Sequence, residues 1–262
     1  MELADVFLGN LNHVKTAGNG AYVPHMAGQH PSLCILHCSD SRENFNLIAD
    51  VKPSMGEIFK VENAGNVLDG SVSALGGVAY SVVHLGIKNV LVFGHTGCGA
   101  IKAAFGNYAV DAWPIADHIR LLEPVARLSQ IIISRIEGRN VSREEICKND
   151  LFLTKAAELN VAYQVNYLNQ VFAGIGISHI KVYGAMHDLH GHYGGDNGKL
   201  YLVESPKEDG LDAYLSAYKK NLAVLDKPFG DIFSDLGISY NIPLKSYAVT
   251  PVHEEHIEQQ AK

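Results

Sequence analysis

LCILHCSDSR at residues 33–42 and NVLVFGHTGCG at residues 89–99 decide the fold. Each is a short apolar run that ends in a polar turn. The first is bounded by Pro31 and by the polar SDSR, which marks a buried strand at 33–37. The second predicts a strand at 89–93 and a helix opening just after Gly99. Between them, Pro53 and Gly56 punctuate the turn into a further strand at 57–61. GSVSALGGVAYSVVHL at 70–85 then reads as a helix of small residues, with Asp69 placed to cap it and Gly86 at the C′ position. Strand, helix and strand at this spacing form a βαβ unit, whose crossover makes the strands parallel.

Outward from this unit, residues 1–20 carry Leu3, Phe7 and Leu11 at helical steps and end at Gly18 and Gly20. A short helix is expected near 43–49. Ile115, Ile119, Leu122, Val125 and Leu128 give 115–137 a helical pattern, which Pro124 divides in two. Leu159, Val165, Leu168 and Phe172 do the same for 155–172. A fourth strand is expected at 179–185, and the glycine-rich HGHYGGDNG leads to a hairpin partner at 199–203. The expectation is an α/β fold with a mostly parallel central sheet flanked by helices. It has an N-terminal helical arm (1–26), a main domain (27–205) and a C-terminal extension (206–262) in which no motif is legible.

The chain has 262 residues, 47% of them apolar, and a net charge of −7. No basic run offsets that charge, which argues against nucleic acid or an anionic membrane as partner. No apolar stretch approaches the ~18–20 residues of a membrane span. The start of the chain lacks a basic, apolar leader, so a cytoplasmic location is expected. There a disulfide framework is not expected of Cys34, Cys38, Cys98 and Cys147.

Two constellations carry chemistry. Where the backbone stays extended, Cys38, Asp40 and Arg42 share a face at the C-terminal edge of a parallel sheet, where such folds bind ligands. Taken alone, they also suit a polar turn with a surface ion pair. His95 and Cys98 lie three apart in a tight glycine turn. A helix N-terminus there favours thiolate, although a buried cysteine in a plain strand-to-helix turn has the same look. The turn lacks a P-loop lysine. Together the two motifs offer two thiolates and one imidazole, a zinc set with one position left over. Asp40 can fill that position or hydrogen-bond whatever does, and Arg42 can hold Asp40 with both arms of its guanidinium.

The C-S-D-S-R and H-x-G-C-G pair resembles the β-class carbonic anhydrases. So do GQHP at 28–31, GEIF at 56–59, NAGN at 63–66, Tyr80 in AYSVVHLG and ELNVAYQVNYL at 158–168. The resemblance covers roughly residues 27–205. It implies zinc-dependent, reversible hydration of CO2 to bicarbonate. It makes Cys38, His95 and Cys98 the zinc ligands. Asp40 becomes either a fourth ligand in a closed state or, with Arg42, the acceptor that orients a zinc-bound hydroxide. Gln29, Phe59 and Tyr80, with Gly99, match the substrate pocket of the plant-like subgroup, an apolar site for CO2. The resemblance further implies strand order 2-1-3-4 with an antiparallel fifth strand. It also implies a homodimer or an assembly of dimers, with the N-terminal helix packed on a neighbour.

One departure is Glu62, which stands where the family usually has arginine. It puts a negative charge near the pocket entrance, or pairs with a neighbouring lysine or arginine. His187, His190 and His192 read as solvated histidines of the hairpin turn, with a second metal site or a proton relay as alternatives. Cys34 reads as core, and Cys147 as structural or exposed. The competing functions are hydrolysis of COS or CS2 on the same scaffold, a zinc-binding homologue without activity, and a thiol-redox protein. The absence of C-x-x-C weakens the last.

Overall fold

A computed structural model describes residues 2–51, 55–68, 71–194 and 196–206. The C-terminal extension from residue 207 onward lies outside the described residues, as does Asp69.

Five strands form one sheet: β1 Leu33–Cys38, β2 Ile58–Asn63, β3 Asn89–His95, β4 Lys181–Asp188 and β5 Lys199–Glu204. Their order is β2-β1-β3-β4-β5. The first four run parallel, and β5 returns antiparallel along β4. Interior strands β1 and β3 are buried on both faces, which is why they read as continuous apolar runs. Edge strand β2 alternates, with Lys60 and Glu62 outward.

The helices are α1 Leu3–Ala17, α2 Phe45–Ile48, α3 Val72–Val83, α4 Gly99–Phe105, α5 Ile115–Arg120, α6 Glu123–Ile136, α7 Arg143–Lys148 and α8 Asp150–Gly174. No described helix is long and apolar enough to cross a membrane. One face of the sheet carries the main core, where Cys34, Leu36, Val90 and Val92 join α3, α6 and α8. Among the described residues the other face carries a small cluster built on Ile35, Phe45, Phe93 and Ala185. Helix α8 presses directly on β3 and β4. A Cβ at Gly94 would stand 2.5 Å from Val161, and one at Gly184 would stand 2.7 Å from the same side chain. The buried polar groups of α8 pin the segment after β2: Asn160 Nδ2 donates to Gly65 O at 3.0 Å, and Gln164 Oε1 accepts from Leu68 N at 3.0 Å.

Several boundaries differ from the sequence expectations. The cap of α3 is Ser71, whose hydroxyl accepts from Ala74 N. Helix α8 starts earlier than expected because Asn149 caps it, its Oδ1 accepting from Leu151 N and Phe152 N. Strand β4 starts at Lys181, level with Asn89 of β3, and continues to Asp188. His187 therefore belongs to the strand and not to the hairpin turn. Helix α1 has no buried residue, and its stripe of Leu3, Phe7 and Leu11 faces outward.

Candidate metal centre

Cys38 ends β1, His95 ends β3, and Cys98 is the cap residue before α4. Because β1 and β3 are adjacent and parallel, both ends arrive at the same edge of the sheet. Gly97 makes the turn between His95 and Cys98 with φ +68°, and a Cβ there would meet His190 Cε1 at 2.5 Å. Only glycine suits that position.

The three side chains are buried, and one ligand atom from each lies within 4.8 Å of the others. Cys38 Sγ and Cys98 Sγ are 3.9 Å apart, a spacing that two sulfurs about 2.3 Å from one tetrahedral zinc would adopt. His95 Nδ1 is 3.0 Å from Thr96 O. That contact assigns the ring proton to Nδ1 and leaves Nε2 as the free donor. His95 Nε2 is buried and has no hydrogen-bond partner. An orphaned imidazole nitrogen beside two thiols is a donor set that fits a zinc ion.

The electrostatics agree. The Cys38 thiol is pushed down to about 4, chiefly by the hydrogen bond from Cys98, then by His95 and the Gly65 amide, against burial. Cys98 is pushed up by Cys38 first and by burial second. Without a cation the pair resists a second negative charge; a dication lets both sulfurs ionise. Burial is the largest influence on His95 and lowers it, but Cys38 and Glu43 outweigh it and leave the ring above its ordinary range.

Asp40 has both oxygens on Arg42. Arg42 Nε donates to Oδ1 at 2.9 Å and Nη2 to Oδ2 at 2.7 Å. Nη2 also reaches Gly97 O at 3.3 Å, tying the pair to the glycine turn. The Arg42 guanidinium holds the Asp40 carboxyl well below the usual carboxylate range. Asp40 Oδ2 is 3.9 Å from His95 Nε2, so an ionised oxygen faces the ligand cluster.

The remaining candidate residues are placed less centrally. Phe59, half-buried against the main core, and Tyr80, exposed, have ring centroids 6.2 Å apart where α3 meets β2. Gln29 is exposed beside Gly56, and Gly99 is exposed at the start of α4. A cavity of about 250 Å3 adjoins Cys38 and Asp40, and its walls include His37, Lys60 and Glu62. Those walls are polar, unlike the apolar site expected for CO2. Among the described residues Glu62 pairs with neither lysine nor arginine. Its Oε1 lies 2.9 Å from His37 Nε2, a close contact not aligned as a hydrogen bond.

His187 is not a solvated loop residue, whereas His190, which is exposed, and His192, which is half-buried, stay in the turn after β4. His190 Nδ1 is 2.8 Å from Thr96 Oγ1, His192 Nδ1 is 2.7 Å from Thr154 Oγ1, and the two rings stack at 5.2 Å. His187 is buried, with Nδ1 3.0 and 3.1 Å from the two carboxylate oxygens of Glu43. Sequence reasoning missed Glu43, which follows the first motif directly and has no periodicity or spacing to single it out. Cys34 is core, and burial pushes its thiol up to about 11. Cys147 is half-buried, its thiol 3.8 Å from Lys102 O.

The family model for carbonic anhydrase matches residues 33–193. A carbonic anhydrase of Synechocystis is 33% identical over 130 residues, which are 47% of each chain. The chain thus spans about half the length of that curated relative, at 47%. The β-carbonic anhydrase CafA of Aspergillus fumigatus superposes with a TM-score of 0.59 at 27% identity, covering 82% of this chain and 97% of that one. One of two tetrameric β-carbonic anhydrases from Sordaria macrospora shares the fold, with a TM-score of 0.55 at 22% identity over 76% of this chain and 94% of that one.

Proposed function

Because the chain belongs to the β-carbonic anhydrase family, we propose that it catalyses the reversible hydration of CO2 to bicarbonate with one zinc ion held by Cys38, His95 and Cys98. The observation that carries this reading is the buried Nε2 of His95, without a hydrogen-bond partner among the described residues, in a cluster with two thiols and beside the Asp40–Arg42 pair. When bound, zinc supplies a Lewis acid that activates water as the nucleophile.

The chain's own groups do the rest. Cys38 and Cys98 neutralise the ion's charge. Asp40, kept ionised by Arg42, accepts a hydrogen bond from the attacking oxygen and so aims its lone pair at the carbon of CO2. Arg42 fixes the Asp40 carboxylate through its fork, with one oxygen held toward the ligand cluster. Gln29 donates to an oxygen of the forming bicarbonate, and Phe59 and Tyr80 supply the apolar wall of a plant-like pocket that includes Gly99. That pocket is completed by a second copy, because the proposed assembly is a homodimer or an assembly of dimers. The exposed apolar stripe of α1 supports such an assembly, as do the tetrameric relatives from Sordaria. The four cysteines are free, which suits a reducing cytoplasm.

The test is stopped-flow CO2 hydration beside COS and CS2 turnover, with zinc measured on the same sample. CO2 hydration with about one zinc per chain is the expected result. Turnover of COS or CS2 alone would replace CO2 as the substrate. Bound zinc with no turnover of any of the three would identify an inactive homologue.

A further inference from the structure

We propose that Glu43 is a positioning residue of the metal centre: its carboxylate, clamped by His187, sets the orientation and donor strength of the zinc ligand His95. This rests on the zinc reading above. The side chain of Glu43 is fully buried. Its oxygens lie 3.0 and 3.1 Å from His187 Nδ1, and Oε1 lies 3.8 Å from His95 Nδ1. The His95 ring is therefore polarised along one axis. Nε2 is left without a hydrogen bond, 3.9 Å from Asp40 Oδ2 in the buried ligand cluster, while Nδ1 faces the Thr96 carbonyl at 3.0 Å, with the Glu43 carboxylate just beyond.

A carboxylate on the Nδ1 side favours the tautomer with its proton there, pulls on that proton, and makes Nε2 a better donor. The clamp itself is held in place. His187 is the register partner of His95 on the adjacent strand, and its carbonyl accepts from Thr96 N at 3.0 Å. Its ring stacks on Phe93 at 6.2 Å, and Phe93 packs edge-on against Phe45 at 5.7 Å. A purely structural fill of this corner would do as well with apolar side chains, since a buried ionic pair seldom stabilises more than its hydrophobic replacement. What apolar side chains cannot supply is negative charge behind the imidazole.

The test uses the full chain as wild type, Glu43→Gln and the double variant E43V/H187L. The double variant removes the pair without leaving a lone buried charge. Zinc affinity is measured by competition with a chelator. The cobalt-substituted proteins are compared by their thiolate-to-cobalt absorption, and the metal-free melting temperature reports on the fold separately. The expected result is zinc binding weakened about 10- to 100-fold in both variants, with shifted cobalt bands. In the double variant the metal-free melting temperature stays at or above that of wild type. If Glu43→Gln does not fold, the double variant decides alone. Zinc bound within twofold by all folded proteins, with unchanged cobalt spectra, overturns this inference and leaves the proposed function standing. A wild type that binds no zinc overturns both.

Discussion

Tyr193 Oη donates to Glu158 Oε2 across 2.8 Å, joining the turn after β4 to the buried side of α8. The other oxygen of that carboxyl is equally buried and has no partner. Burial pushes the Glu158 carboxyl up to about 8, from an ordinary value of 4.5, against the lowering by Tyr193. The group is protonated in the folded protein at neutral pH, whereas the unfolded chain ionises it. Its contribution to stability is whole below the unfolded value and is lost as pH rises through the folded one. Urea midpoints of wild type should therefore fall between about pH 5 and about pH 8.5. Glu158→Gln, which cannot ionise, should flatten that decline. Parallel profiles for the two proteins would show that the carboxyl does not titrate differently on folding.

Arg42→Ala should leave zinc in place but lower kcat/KM for CO2 by roughly 100-fold, as when a group positioned for the transition state is lost. Arg42 is the principal cause of the low Asp40 value, so its removal lets the carboxylate turn and titrate higher. Rates across about pH 6–9, at matched zinc content, make the comparison. Equal rates would assign the pair to structure.

Cys98→Ala should lose the metal. Two ligands remain, and the affinity of a three-ligand site does not survive that reduction. Zinc analysis after gel filtration checks this, and stoichiometric zinc in the variant would remove Cys98 from the ligand set.

Glycine positions of opposite kind should respond with opposite sign. At Gly94 an added methyl runs into Val161 at 2.5 Å, so Gly94→Ala should destabilise the fold by about 1–3 kcal/mol. Gly76, within α3, has nothing within 4 Å of the added atom, and Gly76→Ala should stabilise by about 0.5–1 kcal/mol. Denaturant melts of both variants beside wild type provide the comparison, and a shared sign would contradict the packing of α8 on β3.

Phe7 and Leu11 of α1 are 65% and 58% exposed, an apolar stripe with no partner of its own among the described residues. F7D/L11K should shift the protein from dimer or larger assembly to monomer in light scattering at micromolar concentration. A wild type that is already monomeric would refute the assembly.

The parts of this structure that were legible in the sequence share a physical cause. Strands β1 and β3 are buried on both faces, so their apolar runs stand out, and turn signals bound them: Pro31 and SDSR for β1, the glycine turn at 97–99 for β3. The pairing of Cys38 with His95 and Cys98 was legible because both motifs close a strand of one parallel sheet. Other features depend on contacts between segments distant in the chain. His187 looks like a loop residue beside its glycines, and only its pairing with His95 across β3 and β4 makes it part of a strand. Glu43 follows a polar motif and reads as its tail. Its burial depends on His187, 144 positions away. Glu62 stands out in the sequence as a departure, but His37 faces it only because β1 and β2 pair in the register His37↔Glu62.

The ligand atoms also act as a fastening. Cys38 and Cys98 are 60 positions apart in sequence and meet at one edge of the sheet. An ion held between them would buckle β1 to the start of α4 as a cross-link does, and would shrink the freedom of the unfolded chain by closing a long loop. The same three atoms that would run the reaction would thus also keep the strand ends from parting, so a chelator should loosen the scaffold as it silences the chemistry.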